Sequence, residues 1–324
     1  MNEQKIPELS VLMAAYNAER YVAETLRSVL SQTYEDFELV IVDDGSTDGT
    51  AQILEAFATS DPRVRVITGP NAGVPQAANV GLAACRGEFV ARIDADDIAK
   101  PRRFEVQLQY MKDHDLVACG TWHDFIDEHG RLLKLLETPV DDATIQDMAL
   151  RGHGSICNPT SMFRRQALVD LGGYSEDMPV AEDLDCWLRL GEVGKLGNVP
   201  ECLGQYRLHS TSISERKCIA QREHARIACE RAWERRGIQC VFEAASPWRP
   251  GEDRDSRHHF AMEYGWWAFK SKQFKTAAAY GWRSVKLKPW NLAGYKLVMA
   301  SLTNGGMKNA PTGDDLPTGQ GVPA

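Results

Sequence analysis

The first 93 residues alternate short apolar runs with helical patterns, and this alternation constrains the fold more than any other feature of the chain. Apolar runs at 9–14, 37–42, 64–67 and 88–93 are short and end at polar residues. Between them, apolar side chains recur at helical spacing over 18–32, 52–59 and 74–85. Strands that alternate with helices need crossover connections, so we expect an α/β fold with a mainly parallel sheet.

The rest of the chain predicts more helices than strands. Helices are expected from Pro101 to His114 and over 142–150, 165–171, 182–193 and 214–236, and strands over 116–126, 131–136 and 199–208. Residues 239–255 are a candidate linker, and 258–304 a helical hairpin. We therefore expect a domain over 1–213, a helical extension over 214–303, and a Pro/Gly-rich, disordered tail over 304–324.

Charge is distributed unevenly along the chain. Residues 1–214 carry 19 basic and 34 acidic side chains, whereas residues 215–296 carry 17 basic and 9 acidic ones. The net charge of -8 argues against a general nucleic-acid binder, which needs a basic surface. There is no signal-peptide pattern and no run of 18 apolar residues, and the eight cysteines show no C-x-x-C pair. These features predict a cytoplasmic protein with reduced thiols.

Three carboxylates, Asp94, Asp96 and Asp97, follow the fourth predicted strand. Carboxylates this close repel one another unless a cation lies between them. Magnesium and manganese bind oxygen ligands, and magnesium commonly takes one or two carboxylates together with substrate phosphates. The cluster therefore predicts a metal–diphosphate site, and the alternative is an acidic loop that caps the next helix.

The ends of the first two strands carry a second group of candidate residues. Asp43 and Asp44 are placed to accept hydrogen bonds from a base or a ribose, as carboxylates at strand ends do in dinucleotide folds. A helix cap is the alternative use of such a sequence. After the first strand, Ala14 is small and Tyr16 offers a ring for a base, although packing alone also explains a tyrosine.

Glu182 and Asp183 open a predicted helix. One explanation is the helix dipole, which favours acidic residues in the first turn. The other is that one carboxylate is a general base that takes a proton from an acceptor hydroxyl. His123, His209 and His224 are interpreted as surface or packing residues.

The chain resembles the family-2 inverting glycosyltransferases of GT-A fold in four segments, which read SVLMAAYNAERYVAETLRSVLSQTYEDFELVIVDDGSTDGT, NAGVPQAANVGL, GEFVARIDADD and AEDLDCW. The resemblance covers residues 8–210 in the family's order and spacing. It implies a GT-A mixed sheet flanked by helices, with a C-terminal helical extension. It also implies transfer of a sugar, from a UDP-sugar in the first instance, to a saccharide or lipid-linked acceptor in polysaccharide biosynthesis.

The resemblance also implies roles for the candidate residues. Ala14 and Tyr16 would contact the base, and Asp43 and Asp44 the base or ribose. Asp94, Asp96 and Asp97 together would cover the ribose and a manganese or magnesium ion, with Asp96 as the first candidate for a direct metal ligand and the choice among the three left open. Asp183, with Glu182 beside it, would be the catalytic base. Trp187 would pack beneath the acceptor. Two positions depart from the family pattern: Ala78 stands where an arginine is frequent, and Asn158 where a histidine is frequent.

Alternatives to this function remain. Nucleotidyl transfer to a sugar phosphate normally uses a Gly-rich, Arg-containing loop after the first strand, where this chain reads AAYNAERY. A catalytically degenerate protein that binds a nucleotide-sugar or a partner is the other alternative.

The C-terminal helices match one tetratricopeptide-type hairpin, which is expected to pack on the first domain. Their tryptophans and basic residues would otherwise contact the inner face of the membrane.

Overall fold

A mixed nine-stranded sheet lies at the centre of this computed structural model, which describes residues 6–244, 249–251, 253–303 and 322–323. The strands are β1 Leu9–Ala15, β2 Phe37–Asp43, β3 Val64–Thr68, β4 Phe89–Arg92, β5 Ile98–Ala99, β6 Leu116–Asp127, β7 Leu132–Leu136, β8 His153–Gly154, β9 Met162–Arg164, β10 Lys195–Leu208 and β11 Val322–Pro323. The last of these pairs with β8 outside the main sheet. The predicted tail otherwise lies outside the described residues.

The helices flank both faces of the sheet. They are α1 Val22–Leu30, α2 Thr50–Ser60, α3 Val74–Ala84, α4 Arg103–Asp113, α5 Asp142–Leu150, α6 Arg165–Asp170, α7 Glu182–Leu190, α8 Ile213–Arg216, α9 Cys218–Arg236, α10 Arg254–Lys270, α11 Phe274–Leu287 and α12 Leu292–Leu302. A 3₁₀ turn at Asn158–Thr160 precedes β9. No helix in the described ranges is both long and apolar enough to cross a bilayer.

The sheet is mixed, as the family resemblance implies, although the alternation of strands and helices by itself suggests a mainly parallel one. Its strand order is β3-β2-β1-β4-β9-β6-β10-β5, with β7 paired to β6. The first four of these are parallel, as expected, but the short strand β9 runs antiparallel between β4 and β6. A strand of three residues is too short to show a periodicity, so β9 is not visible in the sequence.

Two apolar clusters fill the space on either side of the sheet. One packs α1, α2 and α4 against β1, β2 and β4 through residues such as Leu26, Leu54 and Phe104. The other packs α3, α6 and α7 on the opposite face through residues such as Leu82 and Trp187. Because strand side chains alternate between faces, β1, β2 and β4 each contribute to both clusters.

Two predicted helices differ from the observed ones. Helix α1 starts at Val22 rather than at residue 18, because Asn17 has a φ of 50° and residues 18–21 form a turn in which the Ala18 carbonyl accepts hydrogen bonds from the Tyr21 and Val22 N–H groups. The predicted helix over 214–236 is divided at Lys217 into α8 and α9.

The C-terminal helices pack on the sheet domain through α10. Phe260 and Tyr264 of α10 join Phe125 and Leu133 of the β6–β7 hairpin in one buried cluster. Helix α9 packs separately on α5 and α7. The hairpin expected over 258–304 is therefore a set of three helices, and the division of the chain at residue 213 stays a prediction.

Candidate active site

The site lies where β1, β2 and β4 end side by side. The register pairs Ala15 of β1 with Asp43 of β2, and Leu12 of β1 with Arg92 of β4. The loops that carry Tyr16 and Asp94 therefore leave the sheet at the same edge. This is the edge at which open α/β sheets bind ligands.

Hydrogen bonds join the loops that follow β1 and β2. The Thr47 N–H donates to Asn17 Oδ1 over 2.8 Å, and the Asn17 N–H donates to Ser46 Oγ over 3.0 Å. Asp43 Oδ1 accepts from the Ser46 N–H over 3.0 Å. Tyr16, beside this rigid pair of loops, is 49% exposed, so one side of its ring is open to a ligand.

Asp44 holds the loop in front of α3. Its two carboxylate oxygens accept hydrogen bonds from the backbone N–H groups of Ala72 and Gly73, at 2.8 and 2.9 Å. Gly73 has a φ of 97°, a conformation that glycine adopts without strain. Asp44 thus stabilises this loop through two backbone hydrogen bonds, and its expected contact with a nucleotide stays a prediction.

The three carboxylates after β4 have three different partners. Asp94 Oδ1 lies 3.5 Å from Nη2 of Arg92, and Asp96 Oδ2 lies 2.7 Å from Nε2 of His209. Asp97 Oδ1 accepts from the backbone N–H of Arg207 over 2.7 Å. Oδ2 of Asp97 is buried and has no hydrogen-bond partner among the described residues.

Burial and mutual repulsion disfavour the charges of this cluster. Burial raises the pKa of Asp94 to about 6; the Arg92 charge opposes this rise, and the charges of Asp96 and Asp183 add to it. Burial raises the pKa of Asp97 well above its ordinary value, and Asp96 and Asp94 add to this rise. The cluster has more negative charge than its neighbours compensate, which a divalent cation would relieve.

His209 belongs to the site, contrary to its interpretation as a surface or packing residue. Besides its contact with Asp96, its Nδ1 lies 2.8 Å from Oγ1 of Thr211, and its ring lies 5.0 Å from that of Tyr21. The available signal was its position directly after β10, a strand that returns to this edge of the sheet. His123, by contrast, is buried against Phe125 and is a packing residue, as expected.

The residues of the acidic loop would fit a divalent cation that takes its remaining ligands from a bound molecule or from water. Among the described residues, no three His, Cys, Asp or Glu side chains are arranged to hold an ion by themselves. Asp96 supplies an oxygen oriented by His209, and Asp97 supplies a buried oxygen without another partner. Magnesium and manganese suit such oxygen ligands, and magnesium commonly takes its remaining ligands from substrate phosphates and water.

The second acidic pair opens α7. Ala181, with a φ of 60°, turns the chain into this helix, and Asp183 Oδ1 accepts from the Leu184 N–H over 2.8 Å. Burial and the Asp183 charge raise the pKa of Glu182 to about 8. Burial also raises the pKa of Asp183, while the Leu184 N–H and the Arg92 charge oppose this rise. The charge of Asp183 also raises the pKa of Asp94, so the start of α7 lies near the acidic loop.

Two neighbours on α7 have structural roles. Asp185 is buried, and its Oδ2 accepts from Ser175 Oγ over 2.6 Å and from Arg189 Nε over 2.8 Å. Trp187 is 1% exposed and packs against Phe163 on the core side of the helix. Of the three carboxylates in the first turns, only Asp185 forms a salt bridge with a side chain in the described part of the chain.

Comparisons with known proteins show what this chain resembles. The family model described as glycosyl transferase family 2 matches residues 10–172. The O-antigen biosynthesis glycosyltransferase WbnJ of Escherichia coli is 32% identical over 234 residues, which cover 71% of this chain and 91% of that protein.

Two solved structures share the fold. The S. aureus TarS structure in complex with UDP-GlcNAc matches with a TM-score of 0.57 at 18% identity, and the match covers 92% of this chain and 89% of that one. The mannosyltransferase of Pyrobaculum calidifontis, in complex with GDP-Man and Mn²⁺, matches with a TM-score of 0.54 at 17% identity, covering 94% and 89%.

Proposed function

Because this chain belongs to glycosyl transferase family 2, we propose that it transfers a sugar with inversion from a nucleoside-diphosphate sugar, in the first instance a UDP-sugar, to a hydroxyl acceptor. The observation that carries this proposal is the meeting of two acidic groups from distant parts of the chain. Asp94 and Asp96 follow β4, whereas Asp183 opens α7, yet the charges of Asp96 and Asp183 both act on Asp94. One group suits the donor and the other the acceptor.

The nucleotide would bind across the ends of β1 and β2. Tyr16 offers its exposed ring to the base, with the half-buried Ala14 beside it. Asp43 and Asp44 order the two loops around this position through their backbone hydrogen bonds. Asp94, at the next strand end, would hold the ribose.

Asp96 and Asp97 would hold the manganese or magnesium ion. When bound, this ion would neutralise charge that develops on the diphosphate leaving group. His209 keeps Asp96 oriented through the 2.7 Å contact between Nε2 and Oδ2. Hydrogen bonds of this kind to a carboxylate ligand commonly support metal affinity.

Asp183 would take the proton of the acceptor hydroxyl as the anomeric carbon is attacked. A base must be ionised to act, and the Leu184 N–H and the Arg92 charge both favour the ionised form of Asp183. Glu182, whose pKa is raised to about 8, is largely protonated near neutral pH and is the weaker candidate.

The acceptor would be a saccharide, free or lipid-linked, in the synthesis of a bacterial polysaccharide. Support comes from the relative named for O-antigen biosynthesis, of which this chain covers most. A nucleotide-sugar donor is supported by the UDP-GlcNAc and GDP-Man complexes of two proteins that share the fold.

We also propose that the outer face of the C-terminal helices binds an anionic lipid surface. Residues 271–303 contain six Lys and Arg and no Asp or Glu. Helix α12 buries Leu297 and Val298 but exposes Leu292, Tyr295 and Met299, and Trp290 just before it is 93% exposed. Aromatic and apolar side chains among basic ones are typical of helices that lie at a membrane surface.

Calorimetric titration with UDP, with and without manganese, tests the donor site, and UDP release from UDP-GlcNAc or another UDP-sugar tests the transfer. Manganese-dependent UDP binding followed by turnover is the expected result. Binding without turnover on any donor and acceptor would favour a degenerate nucleotide-sugar-binding protein. Absence of UDP and GDP binding would contradict the proposed function altogether.

A further inference from the structure

Two arginines beside the site are fully buried, and they differ in how their charge is used. Arg103 is 0% exposed and forms four side-chain hydrogen bonds. These go to Gln107 Oε1 and to the carbonyl oxygens of Arg92, Pro159 and Ser161, at 2.6–3.0 Å. Arg103 therefore links β4, the turn before β9 and α4, which is a structural function.

Arg92 is as deeply buried as Arg103, with 1% of its surface exposed, but it has far fewer hydrogen-bond partners. Its Nε and Nη1 atoms have no hydrogen-bond partner among the described residues, and its Nη2 lies 3.5 Å from Asp94 Oδ1. Its guanidinium lies 5.6 Å from the ring centre of Tyr174. A buried charge with unpaired donors is destabilising, so a contribution to packing does not account for this residue.

The position of Arg92 explains what its charge does. It is the last residue of β4, on the face of the sheet that α7 covers. Its charge lowers the pKa of Asp94, of Glu182 and of Asp183, in each case against the rise that burial causes. One buried cation thus faces the donor side and the acceptor side of the site together.

We propose that Arg92 is a positioning residue of the transfer reaction, whose buried guanidinium lies against Asp94 of the acidic loop and Tyr174 before α7 and keeps Asp183 ready to act as the base. This inference rests on the proposed function. A lysine would retain the charge without the planar fork of donors, and an uncharged side chain would retain neither.

Other groups act on the same cluster and must be considered with Arg92. The titratable or charged groups around Arg92 and Asp183 are Asp94, Asp96, Asp97 and Arg103 on the sheet side, Cys157 before β9, Tyr174 after α6, and Glu182 and Cys186 on α7. Of these, Arg103 already uses its donors elsewhere. Arg92 is therefore the side chain whose removal should most change the ionisation of Asp183.

The test compares Arg92→Met, Arg92→Gln and Arg92→Lys with the native enzyme, and uses Arg103→Lys as a control at a buried structural arginine. UDP release from the sugar donor that supports native turnover is measured against pH at saturating manganese. Because loss of a nearby positive charge raises the pKa of a carboxylate, the acid limb of the profile should move to higher pH by about 1 unit or more in the two uncharged variants. Turnover near neutral pH should fall by about 100-fold, within the usual range for general-base assistance.

Arg92→Lys should give an intermediate shift, whereas Arg103→Lys should lower the unfolding temperature and leave the acid limb in place. An unchanged acid limb in a folded uncharged variant, with folding checked by circular dichroism, would overturn the inference. If both uncharged variants fail to fold, an acid limb in Arg92→Lys identical to the native one would overturn it. A native protein that neither binds UDP nor releases it from a donor would instead contradict the proposed function.

Discussion

Asp183, Glu182 and Asp185 lie within one turn of α7, yet their surroundings differ. Asp185 is neutralised by Arg189 at 2.8 Å, and Glu182 has a pKa raised to about 8. Asp183 has a backbone N–H donor and the positive charge of Arg92 to favour its ionised form. Among these residues, Asp183 is therefore the best suited to accept a proton near neutral pH.

Asp183→Asn should lower turnover by about 10²–10⁴-fold, the range that general-base assistance usually contributes. The asparagine preserves the size of the side chain but cannot take a proton, and UDP affinity should barely change because the residue lies on the acceptor side. Steady-state turnover beside UDP titration checks this, with Glu182→Gln as the milder comparison. Normal turnover in Asp183→Asn would place the base elsewhere.

Asp96→Ala should remove the manganese dependence of UDP affinity and lower turnover by at least about 100-fold, because metal assistance contributes several kcal/mol. Calorimetric UDP titration with and without manganese measures the first effect. Asp147→Ala, which removes an exposed carboxylate of α5, is the matched control and should behave as the native protein. Metal-linked UDP binding that survives in Asp96→Ala would contradict the assignment.

The buried acidic pair should make the protein less stable as the pH rises. The folded state raises the pKa of Glu182 from 4.5 to about 8, so the folded protein binds this proton more tightly than the unfolded chain. The free energy of unfolding should therefore fall between about pH 4.5 and pH 8. Glu182→Gln should reduce this slope in urea denaturation series, and an equal slope in both proteins would contradict the raised pKa.

At the scale of elements, α3 is held very close to the sheet beneath the nucleotide loops. Gly81 faces β1, and a Cβ atom there would lie 2.1 Å from Cδ1 of Leu12 and 3.1 Å from Cγ2 of Val42. The same helix begins at the loop that Asp44 holds. The approach of α3 to β1 therefore also sets the position of that loop.

Gly81→Ala should lower the free energy of unfolding by about 1–3 kcal/mol, the usual effect of overpacking, even though alanine favours helices by about 1 kcal/mol over glycine. UDP affinity should fall as well, because α3 would shift. Gly69→Ala is the control, since a Cβ atom there meets nothing within 4 Å, and it should change stability by less than about 0.5 kcal/mol. Urea denaturation and UDP titration measure both effects, and native-like stability of Gly81→Ala would show that α3 moves freely.

At the scale of the whole molecule, the three C-terminal helices have an attached side and a free side. Helix α10 covers Phe125, Leu133 and Leu208 of the sheet domain, so removal of these helices would expose a buried apolar cluster. Helix α12 packs against α10 and α11 and exposes Leu292, Met299 and Leu302. Point substitutions on α11 and α12 therefore test lipid binding more cleanly than truncation.

Vesicles with 30 mol% anionic phospholipid should bind the native protein at low salt and release it at high salt. Lys286→Glu with Lys296→Glu should weaken binding by about tenfold or more, since each basic residue near an anionic surface contributes about 1 kcal/mol. Trp290→Ser, as a separate variant, should also weaken vesicle binding. Ile219→Ser is the control, because this side chain of α9 is 74% exposed but lies outside the proposed lipid surface. Co-sedimentation measures all four proteins, and failure of the native protein to bind at low salt would contradict the lipid surface.

The local pattern of the chain determined the sheet–helix alternation and the location of the acidic residues at strand ends. Apolar periodicity and residue type act over a few neighbours, so the strands from β1 to β4 and the positions of Asp44, Asp94 and Asp183 could be read without coordinates. Short elements such as β5 and β9 could not, because two or three residues show no period.

The partners of those carboxylates depended on the path of the folded chain. His209 reaches Asp96 because β10 runs beside β6 and β5 back to the same edge of the sheet. Arg92 lies against Tyr174 because β9 and α6 return the chain across that face. Such contacts join residues that share no local pattern. Their electrostatic effects, which separate Asp183 from Glu182, follow from burial and proximity, and neither quantity is encoded within a short window of sequence.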